Sequence, residues 1–159
     1  MVIFMKTSLS LLLCSLLAGA TVNLSGAPIW QSASPTGYAT GGAWADINND
    51  ANHLLDLVVS CGNDMVANRN LVYFNQGGML ATTPGWQSDD ITYHGHCDVA
   101  DYNRDGFLDF ASAGFGPAGG SSPGVDRVYR NTGSGLPTTA NWSSTDSDYT
   151  FGLAWGDYD

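Results

Sequence analysis

A tandem repeat of about 56 residues constrains the fold of this chain more strongly than any other feature of its sequence. Three tryptophans recur at intervals of 56 residues, each followed two positions later by a serine: Trp30, Trp86 and Trp142. Three aspartates, each of which opens an acidic segment, recur at intervals of 55 and 56 residues: Asp46, Asp101 and Asp157. Because two landmarks share one period, the sequence predicts successive copies of a single structural unit.

Each repeat contains four short runs of strand-forming residues, separated by Gly, Asn and Asp. The runs lie at residues 42–47, 55–61, 71–75 and 83–88 in the first repeat and at 93–102, 108–113, 127–131 and 141–144 in the second. No stretch shows a sustained helical period. Four strands in about 50 residues predict an all-β fold, a β-propeller built from four-stranded antiparallel blades. A two-sheet sandwich is the alternative, although a sandwich does not predict a tandem repeat.

The repeat also predicts the domain organisation. Two blades are expected at about residues 42–88 and 93–144 within a propeller region at 21–159, and a third blade is expected to begin at about residue 149. The segment around Trp30 matches the last strand of a repeat, as expected for a strand that closes a propeller ring. Since propellers typically contain four to eight blades, the chain is interpreted as an incomplete fragment with about two full blades.

The composition agrees with a turn-rich β-protein and narrows the range of partners. All 15 acidic residues are Asp, whereas helical surfaces usually draw on Glu and Lys. The formal net charge is −10, and beyond Lys6 only four arginines carry positive charge. A chain with this balance is a poor binder of nucleic acid and of anionic membrane surfaces. The expected partner of the aspartates is therefore a hard cation.

The first 20 residues have the features of a secretory signal peptide. Lys6 supplies a positive charge, an apolar stretch follows at residues 9–18, and the Ala-Gly-Ala sequence at 18–20 fits the cleavage rule. The apolar stretch is too short for a membrane span, and no later segment is apolar enough to be one. The protein is therefore predicted to be secreted or displayed at the cell surface.

The acidic segment of the second repeat has the spacing of a calcium-binding loop. Oxygen ligands fall at positions 1, 3, 5 and 9 as side chains and at position 7 as a carbonyl: Asp101, Asn103, Asp105, Asp109 and Phe107. Gly106, at position 6, permits the positive φ angle that turns a chain around an ion. Three carboxylates, an amide and a carbonyl form a hard oxygen set that suits Ca²⁺. Position 12 is Ser112 rather than the Glu of an EF-hand, and strands rather than helices flank the loop.

The corresponding segments of the other repeats are less regular. The first has acidic and amide side chains at four positions: Asp46, Asn48, Asp50 and Asp56. Ala51 replaces the glycine, and Asn52 is the residue expected to take the left-handed conformation. The third retains two acidic residues: Asp157 and Asp159. Calcium ligation is predicted for these segments too, with the alternative that Asp-rich and Asn-rich turns satisfy their own backbone groups.

The sequence offers few candidates for catalysis. Four neighbouring residues suit a transition metal: His94, His96, Cys97 and Asp98. The favoured interpretation is that the two histidines lie on one face of an innermost strand and line a central channel. Neither a Gly-x-Ser-x-Gly nor a His-Glu-x-x-His motif is present, so this segment is predicted not to be an enzyme. Cys61 and Cys97 either form a disulfide in an exported protein or remain two small buried side chains.

The acidic segments resemble the FG-GAP/VCBS repeat family, the calcium-bearing propeller repeats related to those of integrin α-subunits. The resemblance covers about residues 29–159 and is carried by three segments: Asp101-x-Asn103-x-Asp105-Gly106-x-x-Asp109, Phe151-Gly152-Leu153-Ala154-Trp155-Gly156-Asp157 and Tyr129-Arg130-Asn131-x-Gly133. The family implies a propeller in the exported part of a larger protein, with Ca²⁺ between the first two strands of a blade. The match to its ligand set is complete in the second repeat and interrupted by an insertion in the first.

The resemblance also implies a role in adhesion or in recognition of an extracellular protein or carbohydrate ligand, with calcium as the structural cofactor. The alternative is the propeller portion of a secreted hydrolase or lyase whose catalytic residues lie outside this segment. A purely structural spacer is a third possibility, and it predicts no ligand on any loop.

Overall fold

The computed structural model describes residues 26–33, 37–63, 65–117 and 123–157, and its strands form two four-stranded antiparallel sheets. The first sheet has the strand order β1-β2-β3-β4: Ala39–Ala45, Asp56–Cys61, Leu71–Tyr73 and Trp86–Gln87. The second has the order β5-β6-β7-β8: Thr92–Ala100, Asp109–Pro117, Arg127–Tyr129 and Trp142–Ser143. No helix occurs in these described ranges, so the predicted all-β class is confirmed.

Each of the eight predicted runs overlaps one strand, but several strand ends differ from the prediction. β1 begins at Ala39 and ends at Ala45, because Ile47 already belongs to the following loop, where its N–H donates to Asp56 Oδ2 at 3.0 Å. β3 and β7 stop after three residues, because the asparagine two residues beyond each strand donates its N–H to a buried carboxylate. β6 extends to Pro117, where it pairs with the start of β5.

Consecutive strands are neighbours within each sheet, so the chain forms one meander from β1 to β4 and another from β5 to β8. In the first sheet Val58 of β2 pairs with Val72 of β3. In the second sheet Phe110 of β6 pairs with Tyr129 of β7. All four side chains are fully buried. The two repeats therefore place their apolar core residues on corresponding central strands.

The two sheets pack together through a core that β4 of the first sheet shares with β6 and β7 of the second. Trp86 meets Phe110 and Tyr129 edge to face, with ring centroids 6.0 and 5.5 Å away. Further buried residues complete this cluster: Ala45, Ile47, Val58, Val72 and Leu136. β5 lies against both β1 and β2, and Thr40 Oγ1 donates to the Gly95 carbonyl at 2.9 Å. Apolar burial at this interface is the main force that joins the sheets.

The contact between Trp86 and Tyr129 has a counterpart one repeat earlier. Trp30 meets Tyr73 of β3 at a centroid distance of 5.3 Å and an interplanar angle of 77°, compared with 5.5 Å and 83° for the later pair. Trp142 is the third tryptophan of the series and is 54% exposed. Two of the three repeated tryptophans thus pack on the third-strand tyrosine of the sheet that follows, and the third is largely solvent-exposed.

Some of the sequence predictions concern residues that the structure does not describe. The predicted signal peptide at residues 1–20 and the predicted ligand Asp159 both lie outside the described ranges. Within those ranges, no helix has the length and apolar character needed to cross a membrane.

We expect Trp86→Ala to lower the free energy of unfolding by about 3–5 kcal/mol, because it removes the ring that joins the two sheets and leaves a cavity between them. Trp142→Ala is the matched control. Because Trp142 is 54% exposed, its truncation should cost no more than about 1 kcal/mol. Urea unfolding of both variants measures the difference, and equal losses would contradict the packing described above.

Candidate functional site

Both acidic segments of the sequence form the connection between the first two strands of a sheet. The first acidic loop, residues 46–55, joins β1 to β2, and the second acidic loop, residues 101–108, joins β5 to β6. An aspartate follows each loop at the first position of the next strand, namely Asp56 or Asp109. Because both sheets have the same strand order, the two loops occupy corresponding places in the two repeats.

The predicted ligands of the second acidic loop accept hydrogen bonds from the loop's own backbone. Asp101 accepts from the N–H groups of Asp105 and Gly106, at 3.0 and 2.8 Å. Asn103 Oδ1 accepts from the Asp105 N–H at 3.0 Å, and Asp105 Oδ1 accepts from the Phe107 N–H at 3.1 Å. Gly106 has the positive φ angle that its position predicted, at 92°. Each of these oxygens keeps a second lone pair for another partner.

The first acidic loop is wound in a similar way, but the prediction for Asn52 is wrong. Asn48 Oδ1 accepts from the Asp50 N–H at 3.0 Å, and Asp50 Oδ1 accepts from the Asn52 N–H at 2.8 Å. The left-handed conformation occurs at Asn49 and His53, with φ angles of 47° and 49°. The second acidic loop also has two left-handed residues, Arg104 and Gly106, at its positions 4 and 6. In the first loop they fall at positions 4 and 8, so the two extra residues move the second one to just beyond Asn52.

In each acidic loop, one predicted ligand already has a basic side chain beside it. Arg130 Nη2 lies 3.3 Å from Asp105 Oδ2, and His53 Nδ1 lies 2.9 Å from Asp46 Oδ2. Desolvation opposes ionisation of Asp105, but the Phe107 N–H and the Arg130 guanidinium outweigh it, and the pKa of Asp105 lies below its ordinary value. A cation that enters either loop competes with these side chains.

A buried aspartate links each acidic loop to the end of the third strand of its sheet. Asp109 Oδ2 accepts from the Tyr102 N–H at 3.2 Å, and its Oδ1 accepts from the Asn131 N–H at 2.8 Å. Asp56 makes the equivalent bonds with the N–H groups of Ile47 and of the asparagine after β3, at 3.0 and 2.8 Å. Sequence analysis identified both aspartates as ligands but missed this bridging role.

The two bridging aspartates are buried, which makes ionisation of their carboxyl groups unfavourable. Asp56 and Asp109 are both fully buried. Burial raises the pKa of each carboxyl above its ordinary value, although backbone N–H groups act in the opposite direction. Asp46 raises the pKa of Asp56 further, and Asp101 and Asp105 raise that of Asp109. A positive ion in the loop would relieve both effects, because it stabilises the ionised form.

The donor chemistry of the loops fits a hard cation. Every predicted ligand offers oxygen, and Asp46 Oδ1 is buried without a hydrogen-bond partner in the described structure. An orphaned carboxylate oxygen is unfavourable unless a cation or water satisfies it. No three His, Cys or Asp side chains of the described ranges are grouped as a closed metal cage. Asp157 is exposed at the end of residues 149–157, so the third predicted site is described only in part.

A second polar cluster, which sequence analysis did not identify, lies between the two sheets; we call it the inter-sheet cluster. At its centre, Asp90 accepts a hydrogen bond from the Tyr129 hydroxyl. The Asp90 carboxylate also lies 3.2 Å from His94 Nε2 and 3.6 Å from Arg127 Nε. His94 Nδ1 lies 3.4 Å from Asn70 Nδ2 of the first repeat. The cluster therefore joins polar groups from both repeats.

The inter-sheet cluster separates the protonation states of its two central groups. Burial opposes ionisation of Asp90, but His94, the Tyr129 hydroxyl and Arg127 outweigh it, and the pKa of Asp90 lies well below its ordinary value. Burial raises the pKa of Tyr129, and the neighbouring Asp90 carboxylate raises it further. At neutral pH, Tyr129 is therefore a donor and Asp90 an ionised acceptor, which is the stronger form of such a hydrogen bond.

The two histidines considered for a transition-metal site differ in exposure, although both line one cavity of about 270 Å³. His94 is 2% exposed and belongs to the inter-sheet cluster, whereas His96 is exposed. The difference in exposure arises where the strand register shifts, between His94 and Cys97. Cys61 and Cys97 are both free thiols in the structure. Burial raises the pKa of the Cys61 thiol to about 12, so this side chain behaves as a small apolar residue.

Comparison of the sequence with models of known protein families gives no match, and comparison with curated proteins gives none either. Within the described residues, the candidate functional features are the two acidic loops and the inter-sheet cluster. The acidic loops have the chemistry of a cation site. The inter-sheet cluster is enclosed by the two sheets and helps to hold them together.

We expect Asp90→Asn to lower the free energy of unfolding at neutral pH by about 1–3 kcal/mol, because Tyr129 and Arg127 lose an ionised partner. Since the folded-state pKa of Asp90 is lowered, its contribution is fully present above the unfolded pKa of about 4 and is lost as the pH falls below it. The variant should therefore show a smaller loss of stability in acid than the natural chain.

Urea unfolding across the acidic range measures this difference. Asp146→Asn is the matched control, because Asp146 occupies the same position after Trp142 that Asp90 occupies after Trp86 and is exposed. Identical pH profiles for the natural chain and Asp90→Asn would show that the inter-sheet cluster does not stabilise the ionised carboxylate.

Proposed function

We propose that this chain belongs to an exported calcium-binding β-propeller of the FG-GAP/VCBS repeat type. In this proposal Ca²⁺ is structural, and the assembled repeats bind an extracellular protein or carbohydrate ligand. The observation that carries the proposal is the same acidic connection in both sheets, each ending in a buried aspartate whose pKa is raised. A repeated concentration of oxygen donors and negative charge is what a structural calcium site requires.

The ligands would come from each loop and from the aspartate that follows it. In the second acidic loop the ion would be held by five residues: Asp101, Asn103, Asp105, Phe107 and Asp109. In the first it would be held by four: Asp46, Asn48, Asp50 and Asp56. Bound calcium would supply the positive charge that stabilises these clustered carboxylates. The orphaned Asp46 Oδ1 supports the inclusion of the less regular first loop.

The role proposed for calcium follows from the position of the bridging aspartates. Asp56 and Asp109 are the first residues of the second strand of their sheets. Each accepts a hydrogen bond from the N–H of the asparagine two residues beyond the third strand. Fixing the loop therefore fixes where three strands of the sheet begin or end. This arrangement supports a structural ion, which would hold the surrounding loops in the shape needed for ligand recognition.

The propeller part of the proposal is supported by the order in which aromatic contacts recur. In a sandwich, two sheets share a single interface. Here Trp30 packs on Tyr73 of the first sheet, and Trp86 of that sheet packs on Tyr129 of the second. The contacts therefore follow one another in series, one per repeat. Serial stacking of four-stranded meanders is the arrangement of propeller blades.

Thermal melting of the chain with Ca²⁺ and with a chelator tests the proposal. If only the folded state binds the ion, a calcium concentration of 100 times Kd should stabilise it by about 2.7 kcal/mol, and the melting temperature should rise with concentration. Asp105→Ala should reduce this rise, because Asp105 is exposed and its loss removes a ligand without opening the core. Mg²⁺ at the same concentration should have a smaller effect, because it prefers fewer protein ligands.

Two further variants make the measurement specific. Arg130→Gln should increase calcium affinity, because it removes the guanidinium beside Asp105. Asp146→Asn changes an exposed aspartate outside the acidic loops and should leave the calcium response intact. A cooperative melt that is indifferent to Ca²⁺ would reduce both loops to Asp-rich turns that satisfy their own backbone.

A further inference from the structure

The first repeat ends in a Trp and an Asp that both contact a tyrosine of the second sheet. The second repeat ends in the same pair of residue types, without a tyrosine that contacts both in the described part of the chain. Trp86 is followed four residues later by Asp90, and both contact Tyr129 of the second sheet, one at its ring and the other at its hydroxyl. We call such a Trp and Asp pair a tyrosine clamp. Trp142 is likewise followed four residues later by Asp146.

The two pairs share their local backbone structure as well as their spacing. Ser88 Oγ donates to the Asp90 carbonyl at 3.3 Å, and Ser144 Oγ donates to the Asp146 carbonyl at 2.8 Å. Each serine Oγ also accepts from the N–H of the residue immediately before the third strand of its sheet, at 3.0 and 3.1 Å. The second pair is therefore held in the conformation that the first pair uses to contact a tyrosine.

Within the described ranges, no tyrosine contacts both Trp142 and Asp146. Trp142 is 54% exposed, whereas Trp86 is 9% exposed. Asp146 is exposed too. A cavity of about 190 Å³ lies beside Trp142, with Val128 and Trp155 among its lining residues. At the complete interface, the corresponding space is filled by aromatic side chains of the second and third strands of the next sheet.

Residues 149–157 already lie across the second sheet as the first strand of a following sheet would. The Phe151 carbonyl accepts from the His96 N–H of β5 at 2.7 Å, and the Thr150 N–H donates to the Gly114 carbonyl of β6 at 3.2 Å. At the complete interface, β5 lies against β1 and β2 in the same way. The second interface therefore has its first-strand contacts but lacks the contacts of second and third strands.

We propose that Trp142 and Asp146 form a second tyrosine clamp, which binds the third-strand tyrosine of a further four-stranded sheet of the same polypeptide that begins with residues 149–157. The tyrosine ring packs edgewise on Trp142, and its hydroxyl donates to Asp146. The inference rests on the repeat architecture of the proposed function and is independent of its calcium sites.

An extended chain tests the proposal. Asp157 and Asp159 align with Asp101 and Asn103, so a copy of residues 104–157 attached after Asp159 continues the repeat in register. Hydroxyl-radical oxidation followed by mass spectrometry measures the reactivity of Trp142 before and after extension. We expect it to fall about sixfold, in proportion to the exposed fractions of 54% for Trp142 and 9% for Trp86.

Two substitutions separate the clamp from simple crowding. Changing Tyr129→Ala only in the attached copy should restore the reactivity of Trp142. Asp146→Asn should lower the melting temperature of the extended chain and leave that of the original chain nearly unchanged. The proposal is overturned if Trp142 stays reactive in the extended chain, whether the attached copy folds or not. It is also overturned if Trp142 of the original chain becomes protected as concentration rises, because the occupant is then a second copy.

The same oxidation experiment with Ca²⁺ and with a chelator keeps the two proposals apart. Protection of Trp142 in both conditions supports the clamp even where melting shows no calcium response. A calcium response of the original chain, combined with an unprotected Trp142 in the extended one, supports the calcium sites and overturns the clamp.

Discussion

The contact of Tyr129 with Trp86 and Asp90 is the interaction on which the association of the two sheets depends. The fourth strand of each sheet has only two residues, and neither sheet can bury both of its faces alone. Trp86 supplies apolar area at the interface, while Asp90 accepts a hydrogen bond from the buried Tyr129 hydroxyl. Because the acceptor is ionised, this one contact combines packing with a charge-assisted hydrogen bond.

The acidic loops are connected to this contact through the strand that carries the tyrosine. Asn131 lies two residues beyond Tyr129 and donates its N–H to Asp109. Its side-chain Nδ2 donates to the Ile47 carbonyl of the first acidic loop at 2.8 Å. One asparagine therefore contacts the aspartate after the second loop and the backbone of the first. These bonds tie both loops to the end of the strand that carries Tyr129.

The sequence predicted the elements within each repeat, but not the contacts between side chains of different repeats. Runs of strand-forming residues predicted all eight strands, and the acidic segments predicted the position of both loops. The role of Asp90 was not predicted, because this residue follows Asp89 in a turn and its partner Tyr129 is 39 residues away. The exposure of His96 was also hard to predict, since the register shift before Cys97 depends on pairing with β6. Local patterns specify elements, whereas such contacts depend on how the sheets stack.

The successive interfaces differ in their chemistry although their geometry is alike. Ser34 stands four residues after Trp30, where the later repeats have Asp90 and Asp146. The contact of Trp30 with Tyr73 therefore has no aspartate four residues after the tryptophan. It shares only the edge-to-face ring packing with the contact of Trp86 and Tyr129. In stacked repeats, stability is approximately a sum of intrinsic and nearest-neighbour contributions. The carboxylate at the interface of the two sheets consequently gives it a pH-dependent contribution, so acid weakens the junction between the repeats before it weakens the aromatic packing.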